Sequence, residues 1–87
     1  MNTFRFVLAT HDGKMYEGDI IKVSLRGAEG DLAVMAGHIP FVTSVKPCEC
    51  SIYLDDNTVK KVNVSPGLLS VNKDSVNLMS GTIEWIN

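Results

Sequence analysis

The feature that most constrains this chain is an alternation of apolar and polar residues with a period of two. In TFRFVLAT (residues 3–10) the large apolar side chains occupy every second position, and DIIKVSLR (19–26) repeats the pattern. Successive side chains of a β-strand point to opposite faces, so such segments form strands with one buried face. The alternation predicts an all-β protein.

Turn signals separate the alternating segments at nearly regular intervals. They include Asp12-Gly13, the run Asp55-Asp56-Asn57, the run Ser65-Pro66-Gly67, and Lys73-Asp74. Asp-Gly is a strong hairpin signal, and many short strands between turns are typical of sandwiches and barrels. We therefore predict an antiparallel β-sandwich or flattened barrel of about eight to ten short strands, forming a single domain over residues 1–87.

The same alternation predicts which side chains lie inside. One face of each strand carries the large apolar residues, and that face should meet the opposite layer. The predicted interior consists of Phe4, Phe6, Leu8, Ile21, Val23, Leu25, Val34, Ile52, Leu54, Val62, Val64, Val71, Val76 and Leu78.

Charge and hydropathy argue against two classes of partner. The formal net charge is -2, so there is no basic excess to bind phosphates, and we expect no nucleic-acid partner. No apolar run approaches the ~20 residues that span a bilayer, so we expect no direct membrane insertion. The first residues are too polar for a secretory signal, which favours an intracellular protein.

The two cysteines lie in one short segment, PCECS (residues 47–51). On a strand, Cys48 and Cys50 would point to the same face, where neighbours two apart have poor disulfide geometry. We predict two buried, reduced thiols. A metal site would need further ligands, and His11 and His38 are the only imidazoles. The sequence thus predicts no metal site.

The usual catalytic and cofactor motifs are absent, so we predict no catalytic residue and no cofactor. His11 precedes the Asp12-Gly13 turn and should be solvated there. His38 lies between Gly37, which can adopt positive φ, and Pro40, which fixes the exit of the turn. Its imidazole could brace the turn or face a partner.

One stretch resembles a known family. EGDLAVMAGHIPFVTSVKPC (residues 29–48) is similar to a family pattern of E-G-[ED], apolar residues, P-G-H-x-P, further apolar residues, T and K-P-G. The preceding segment, FVLATHDGKMYEGDIIKVSLRGAEG (residues 6–30), and VSPGLLSVNKDSVNLMS (64–80) fit the family's opening and closing segments. The family is the epsilon subunit of F-type ATP synthases, called delta in mitochondria.

The resemblance implies a ten-stranded sandwich that is not itself an enzyme. It implies a central-stalk subunit that binds the gamma subunit and the c-ring and couples rotor to ring. Such a subunit would lie peripherally at the cytoplasmic face of the inner or plasma membrane. The partner-binding residues implied by the motif are Glu29, Gly30, Asp31, Gly37 and His38.

Family members continue into two C-terminal helices, to which inhibition of ATP hydrolysis and, in some members, ATP binding belong. Eight residues follow Met79 here, too few for a helical hairpin. We therefore expect this chain to lack that helical domain, to bind no nucleotide and not to inhibit by inserting helices.

Two alternative functions stay open. One is a free-standing β-sandwich interaction domain with another partner; the other is a small metal-dependent enzyme using His11, His38 and the two cysteines.

Overall fold

The computed structural model describes residues 2–86 and confirms the all-β prediction with ten strands. Every regular element within residues 2–86 is a strand. The strands are β1 (Phe4–Thr10), β2 (Gly13–Ile20), β3 (Lys22–Gly27), β4 (Gly30–Met35), β5 (Phe41–Val45), β6 (Cys48–Asp55), β7 (Thr58–Val64), β8 (Gly67–Val71), β9 (Ser75–Ser80) and β10 (Ile83–Trp85).

The strands form one hydrogen-bonded path that folds into two layers. Its order is β10-β7-β6-β3-β5-β8-β9-β1-β2, and β4 pairs with β3 beside this path. β3 and β5 share a single residue pair, Gly27 with Val45, and the path bends there. The β1–β9 pair is parallel, whereas the other described ladders are antiparallel.

The core lies between the two layers and follows the predicted alternation. In β1, Phe6 and Leu8 are fully buried, and each pairs in register with a buried residue of β9, Val76 or Leu78. Burying each such side chain contributes about 1.5–3 kcal/mol. Twelve of the fourteen predicted interior residues are buried. The alternation with a period of two therefore identified most of the core.

The prediction that Ile21 lies inside was wrong, and Ile20 takes its place in the core. The sequence pattern suggested one continuous strand, but β2 ends at Ile20 and β3 begins at Lys22. The bend at Ile21 shifts the alternation by one residue. Ile20 then faces the core opposite Phe4, while Val23 faces it from β3.

Several other residues differ from the predicted burial. Leu54 is only partly buried, because the β6–β7 register shifts just after Tyr53. Cys48 is half-buried, so the prediction of two buried thiols holds for Cys50 alone, although both are free thiols. Besides Cys50, the structure adds three further core residues to the predicted interior: Ile20, Val45 and Leu69.

The first hairpin confirms the predicted turn at Asp12-Gly13. Thr10 pairs with Gly13, so His11 and Asp12 form the turn itself. Gly13 has a φ of 134°, a conformation that side-chain-bearing residues rarely adopt. His11 is exposed, as predicted, with its Nε2 3.5 Å from the Asp12 carboxylate.

The last strand, β10, brings Trp85 back onto the sandwich. Trp85 pairs with Val62 of β7 and remains 38% exposed. The Lys60 Nζ lies 5.6 Å from the centroid of the Trp85 ring, within the range of a cation–π contact. This indole therefore covers the margin of the core.

A polar cluster fastens the loop before β8 to the loop after β9. We call Ser65, Ser80 and Thr82 the serine junction. The backbone N–H of Ser65 donates to Ser80 Oγ at 3.0 Å, and that of Thr82 donates to Ser65 Oγ at 2.9 Å. Ser80 Oγ also lies 2.8 Å from the carbonyl oxygen of Thr82, which can accept its proton. Ser80 is buried, and these bonds satisfy it.

Candidate binding edge

The acidic part of the resemblance motif forms a tight turn between β3 and β4. We call residues 28–31, with the sequence AEGD, the acidic hairpin. Gly27 pairs with Gly30, so Ala28 and Glu29 make the turn. Gly30 has a φ of 124°, which favours glycine, and the space beside its Cα is open. The turn thus exposes its two carboxylates, Glu29 and Asp31.

One carboxylate of the acidic hairpin is held by an arginine on the adjacent strand. Asp31 lies opposite Arg26, whose Nε donates to Asp31 Oδ1 at 3.0 Å. This hydrogen bond and the Asp31 charge raise the pKa of Arg26 above its usual value. Both side chains are largely exposed, so the pair orients Asp31 more than it stabilises the fold.

The other carboxylate is unpaired. Glu29 is exposed, and no ion pair or hydrogen bond of its side chain occurs among residues 2–86. A glutamate at the tip of a two-residue turn loses few contacts when it binds a partner. Its charge is therefore available for a cation from outside the chain.

The Gly37–His38 part of the motif forms a different environment. Gly37 has a φ of 86°, as expected from its place in the loop between β4 and β5. The His38 imidazole packs edge-on against the ring of Phe4, with 5.4 Å between centroids. Its Nδ1 is buried and has no hydrogen-bond partner within the described part of the chain. His38 therefore braces the loop by packing rather than by a backbone hydrogen bond.

The structure separates the five residues that the resemblance implied as one binding site. Gly30 and Asp31 begin β4, whereas Gly37 and His38 follow its last residue, Met35. A six-residue strand is about 17–20 Å long, so the two groups lie at opposite ends of β4. Glu29, Gly30 and Asp31 form one exposed group, and the His38 loop forms another.

A cleft beside the acidic hairpin includes residues that sequence reasoning missed. It has a volume of about 310 Å³ and is lined by residues 29–32 and 41–43. We call it the β4–β5 cleft. Phe41 and Val42 are its exposed apolar side chains. The local pattern of FVTSV does not show that its start lies beside a turn more than ten residues earlier. The one signal that could have pointed to an exposed apolar surface is Phe41-Val42 after Pro40, because two consecutive large apolar residues depart from the alternation.

A second cavity lies on the other side of Asp31, with a volume of about 340 Å³. Its lining includes Arg26, Asp31 and Cys48, and the backbone N–H of Arg26 donates to Cys48 Sγ at 3.4 Å.

The second cysteine, Cys50, lies in the core, whereas Cys48 lines this cavity. Burial, with a smaller contribution from the Cys48 charge, raises the pKa of Cys50 to about 12. Cys50 therefore stays a protonated core thiol at neutral pH.

Metal ligands do not gather within the described residues. Across residues 2–86, no three His, Cys, Asp or Glu side chains are arranged so that they could hold a metal ion. His11 lies at the β1–β2 turn and His38 lies against Phe4. The residues invoked for the metal-dependent alternative are thus distributed over separate parts of the sandwich.

The sequence matches a model of the β-sandwich domain of the ATP synthase delta/epsilon chain over residues 3–86. This match covers nearly the whole chain. The protein belongs to the ATP synthase delta/epsilon chain family. The resemblance found in the glycine–histidine–proline block is thereby confirmed, and the ten strands agree with a sandwich domain.

Two curated relatives show how much of a delta/epsilon chain is present. The ATP synthase epsilon chains of Bacillus licheniformis and Bacillus subtilis are each 36% identical to this chain over 84 residues. The alignments cover 97% of this chain and 63% of each relative. The chain thus spans less than two thirds of the length of the relatives that it matches.

Solved structures share the fold of this family member at low sequence identity. A chain of the mitochondrial ATP synthase of Euglena gracilis, from an OSCP/F1/c-ring structure, superposes with a TM-score of 0.89 at 19% identity. That alignment covers 95% of this chain and 53% of the other. A chain from the central stalk/c-ring structure of Tetrahymena thermophila mitochondrial ATP synthase gives 0.78 at 12%, covering 94% and 66%.

None of the described residues belongs to a helix with the length and hydropathy needed to cross a bilayer.

Proposed function

We propose that this delta/epsilon-family chain is a non-catalytic central-stalk component of a proton- or sodium-translocating rotary ATP synthase. In this role it binds the gamma subunit and the c-ring and couples the rotor to the ring. It would lie peripherally at the cytoplasmic face of the membrane that holds the ring. Family membership supports the assembly, and both solved structures that share the fold are of ATP synthase assemblies that include a c-ring.

The observation that carries the proposal is the acidic hairpin. Its turn is rigid, because β3 and β4 pair along their full length, and it exposes the unpaired Glu29 beside the oriented Asp31. Rigid, exposed charges of one sign increase the rate of encounter with a surface of the opposite sign and fix its orientation. A small edge of this kind binds weakly alone, so assembly requires a second contact on the sandwich.

Reconstitution tests the proposal directly. The purified chain is added to an ATP synthase preparation depleted of its own epsilon-type subunit, and three quantities are measured. These are co-purification with gamma and with the c-ring, ATP-driven ion pumping, and ATP hydrolysis by the detached head. We expect co-purification with both partners and restored pumping.

The same experiment separates coupling from regulation. We expect little inhibition of ATP hydrolysis by the detached head and no ATP binding by calorimetry. Failure to co-purify with either gamma or the c-ring would contradict the proposal. Capture of a different, stoichiometric partner instead would favour a free-standing interaction domain.

A further inference from the structure

The turn between β1 and β2 contains the only Asp-Gly sequence of the chain. Of the seven glycines, Gly13 alone follows an aspartate or an asparagine. In such a pair the backbone nitrogen of the glycine can attack the side-chain carboxyl carbon of the aspartate and close a five-membered succinimide ring. A side chain on the following residue hinders this attack, whereas glycine has none and reaches more backbone conformations. The sequence therefore allows the reaction most easily at Asp12.

Across residues 2–86, no backbone N–H donates to the exposed carboxyl group of Asp12. The Asp12 side chain is 85% exposed, and His11 Nε2 lies 3.5 Å from its Oδ1. Asp55 is the contrast, because its Oδ1 accepts the backbone N–H of Asn57 at 2.8 Å. The side chain of Asp55 is thus held in its turn, whereas that of Asp12 is free to rotate towards the nitrogen of the next residue.

The nitrogen of Gly13 lies at the last rung of the β1–β2 ladder. Gly13 pairs with Thr10, and the turn beyond this pair consists of His11 and Asp12 alone. Its φ is 134°, and a Cβ built on it would meet nothing within 4 Å, so the space beside its Cα is open. The terminal rungs of a ladder open at little cost in free energy. Ring closure here therefore displaces no packed side chain and does not open the core.

We propose that Asp12 is a site of spontaneous isoaspartate formation in the folded protein, and that the product loosens the end of the β1–β2 hairpin. The Gly13 nitrogen forms a bond to Cγ of Asp12, and the proton of that nitrogen leaves with the hydroxyl group of the protonated carboxyl group as water. A second water then hydrolyses the succinimide. Cleavage between Cγ and the nitrogen restores aspartate, whereas cleavage at the backbone carbonyl carbon leaves isoaspartate. The reaction consumes no oxidant, reductant or cofactor, and it does not depend on the proposed function.

Isoaspartate lengthens the main chain of the turn by one carbon atom. A two-residue turn fits its flanking strands only with a defined backbone twist, so the Thr10–Gly13 pair cannot keep its geometry. The β1–β2 register already shifts between Leu8 and Ala9. This irregularity separates the end of the hairpin from the part of β1 that carries the buried Phe6 and Leu8. We therefore expect the distortion to stay at the end of the hairpin.

Ageing of the purified chain tests the proposal. The folded protein is incubated at physiological temperature and pH for several weeks and then digested with trypsin. The peptide of residues 6–14 contains Asp12, and the peptide of residues 15–22 carries Asp19 as internal control. Asp19 is exposed on the same hairpin but precedes Ile20. Mass spectrometry with electron-transfer fragmentation identifies isoaspartate, and an isoaspartyl methyltransferase counts it.

The two peptides are expected to age differently. Part of peptide 6–14 should lose the mass of one water as succinimide, and a growing part should change its retention time without a change of mass, as isoaspartate. Peptide 15–22 should do neither. The free peptide FVLATHDGK is aged in parallel, because it has the same residues without the fold. No conversion in the folded chain, whether or not the free peptide converts, would overturn the proposal, and so would equal isoaspartate at Asp12 and Asp19.

The structural effect is measured on the isoaspartate form after chromatographic separation. Its backbone amide signals are compared by NMR with those of the unmodified chain. We expect shifts and faster hydrogen exchange at residues 9–14, with Phe6 and Leu8 unchanged. Unchanged signals at residues 9–14 in a fraction that mass spectrometry shows to be modified would refute the loosening of the hairpin.

Two variants and a control locate the reaction. Asp12→Glu keeps the charge at this exposed position but can close only a less favourable six-membered ring, so isoaspartate should fall to the level found at Asp19. Asp12→Asn should convert faster than wild type, because its amide releases ammonia more readily than a carboxylate releases water. Asp56→Glu, in the β6–β7 turn, is the control and should age like wild type. Undiminished isoaspartate in Asp12→Glu would show that the modification lies elsewhere and would refute the assignment to Asp12.

Discussion

The serine junction and the acidic hairpin both place polar side chains next to glycines at strand ends, but they use them differently. At the serine junction, Ser65 and Ser80 bond each other and backbone groups of the same chain. At the acidic hairpin, Asp31 has one partner and Glu29 has none among the described residues. Internally satisfied polar groups hold the fold together, whereas exposed and unsatisfied ones remain available to a partner.

The glycines of the two regions show the same contrast. A Cβ on Gly67, two residues after Ser65, would overlap the carbonyl oxygen of Met79 on β9. A Cβ on Gly30 would meet nothing within 4 Å, although its φ of 124° favours glycine. Gly67 is therefore required by close packing of two strands, and Gly30 by the conformation of a turn.

The largest loss of folding stability is expected from Gly67→Ala. The added methyl group cannot fit against backbone, so β8 and β9 must separate locally, and we expect the free energy of unfolding to fall by about 3 kcal/mol or more. Gly30→Ala is the comparison and should cost only about 1 kcal/mol, from backbone strain. Urea unfolding followed by circular dichroism measures both. Equal losses of unfolding free energy in the two variants would show that close packing at Gly67 matters no more than the turn conformation at Gly30.

The second prediction is that alkaline pH lowers the free energy of unfolding through the buried Cys50 thiol. The folded-state pKa of Cys50 is raised from 9.0 to about 12, so the folded chain keeps a proton that the unfolded chain releases. Its contribution is complete below pH 9 and is lost as pH rises towards 12, by up to about 1.4 kcal/mol per pH unit.

The loss is measured as the difference in unfolding free energy between wild type and Cys50→Val, because Lys and Tyr residues also titrate in this range. Cys50→Val should show a shallower decline than wild type between pH 9 and 11. Cys48→Val retains the core thiol and is expected to decline like wild type. Parallel pH profiles for wild type and Cys50→Val would contradict the buried-thiol assignment.

A smaller loss is expected when the serine junction is opened. Ser80→Ala removes the buried hydroxyl that accepts from the Ser65 N–H and donates to carbonyl oxygens, so the backbone groups of Ser65 and Thr82 keep fewer partners. We expect a loss of about 1–3 kcal/mol in unfolding free energy. Ser44→Ala, at an exposed position of β5, serves as control and should lie near wild type. A Ser80→Ala variant as stable as the control would show that the cluster contributes nothing to stability.

The smallest effect on stability is expected at the acidic hairpin. Asp31→Lys breaks an exposed ion pair and places a cation beside Arg26, which should change the free energy of unfolding by no more than about 1 kcal/mol. Binding to complexes containing the c-ring should nevertheless weaken, most strongly at low salt, because the charge acts on encounter. Binding kinetics at two salt concentrations measure this. Unchanged low-salt association would show that the acidic hairpin does not face the ring.

Much of the fold was predictable because strand patterning is local. The alternation in residues 3–10 placed Phe6 and Leu8 inside, and Asp12-Gly13 indicated the first hairpin. Ile21 was misplaced because a one-residue bend between two strands leaves no clear mark in an apolar segment, where Ile20 and Ile21 are chemically equivalent. The motif around Glu29 was visible through its resemblance to the family pattern.

By itself, therefore, the sequence determined the fold class, most of the core and the family, since each depends on patterns within a few residues. Only the tertiary structure decided which residues share a surface. It separated His38 from Asp31 by the length of β4 and brought Phe41 and Val42 beside the acidic hairpin. The physical reason is that these residues become neighbours only through the relative position of β4 and β5 in the folded sheet. That arrangement depends on the packing of the whole sandwich and not on local spacing.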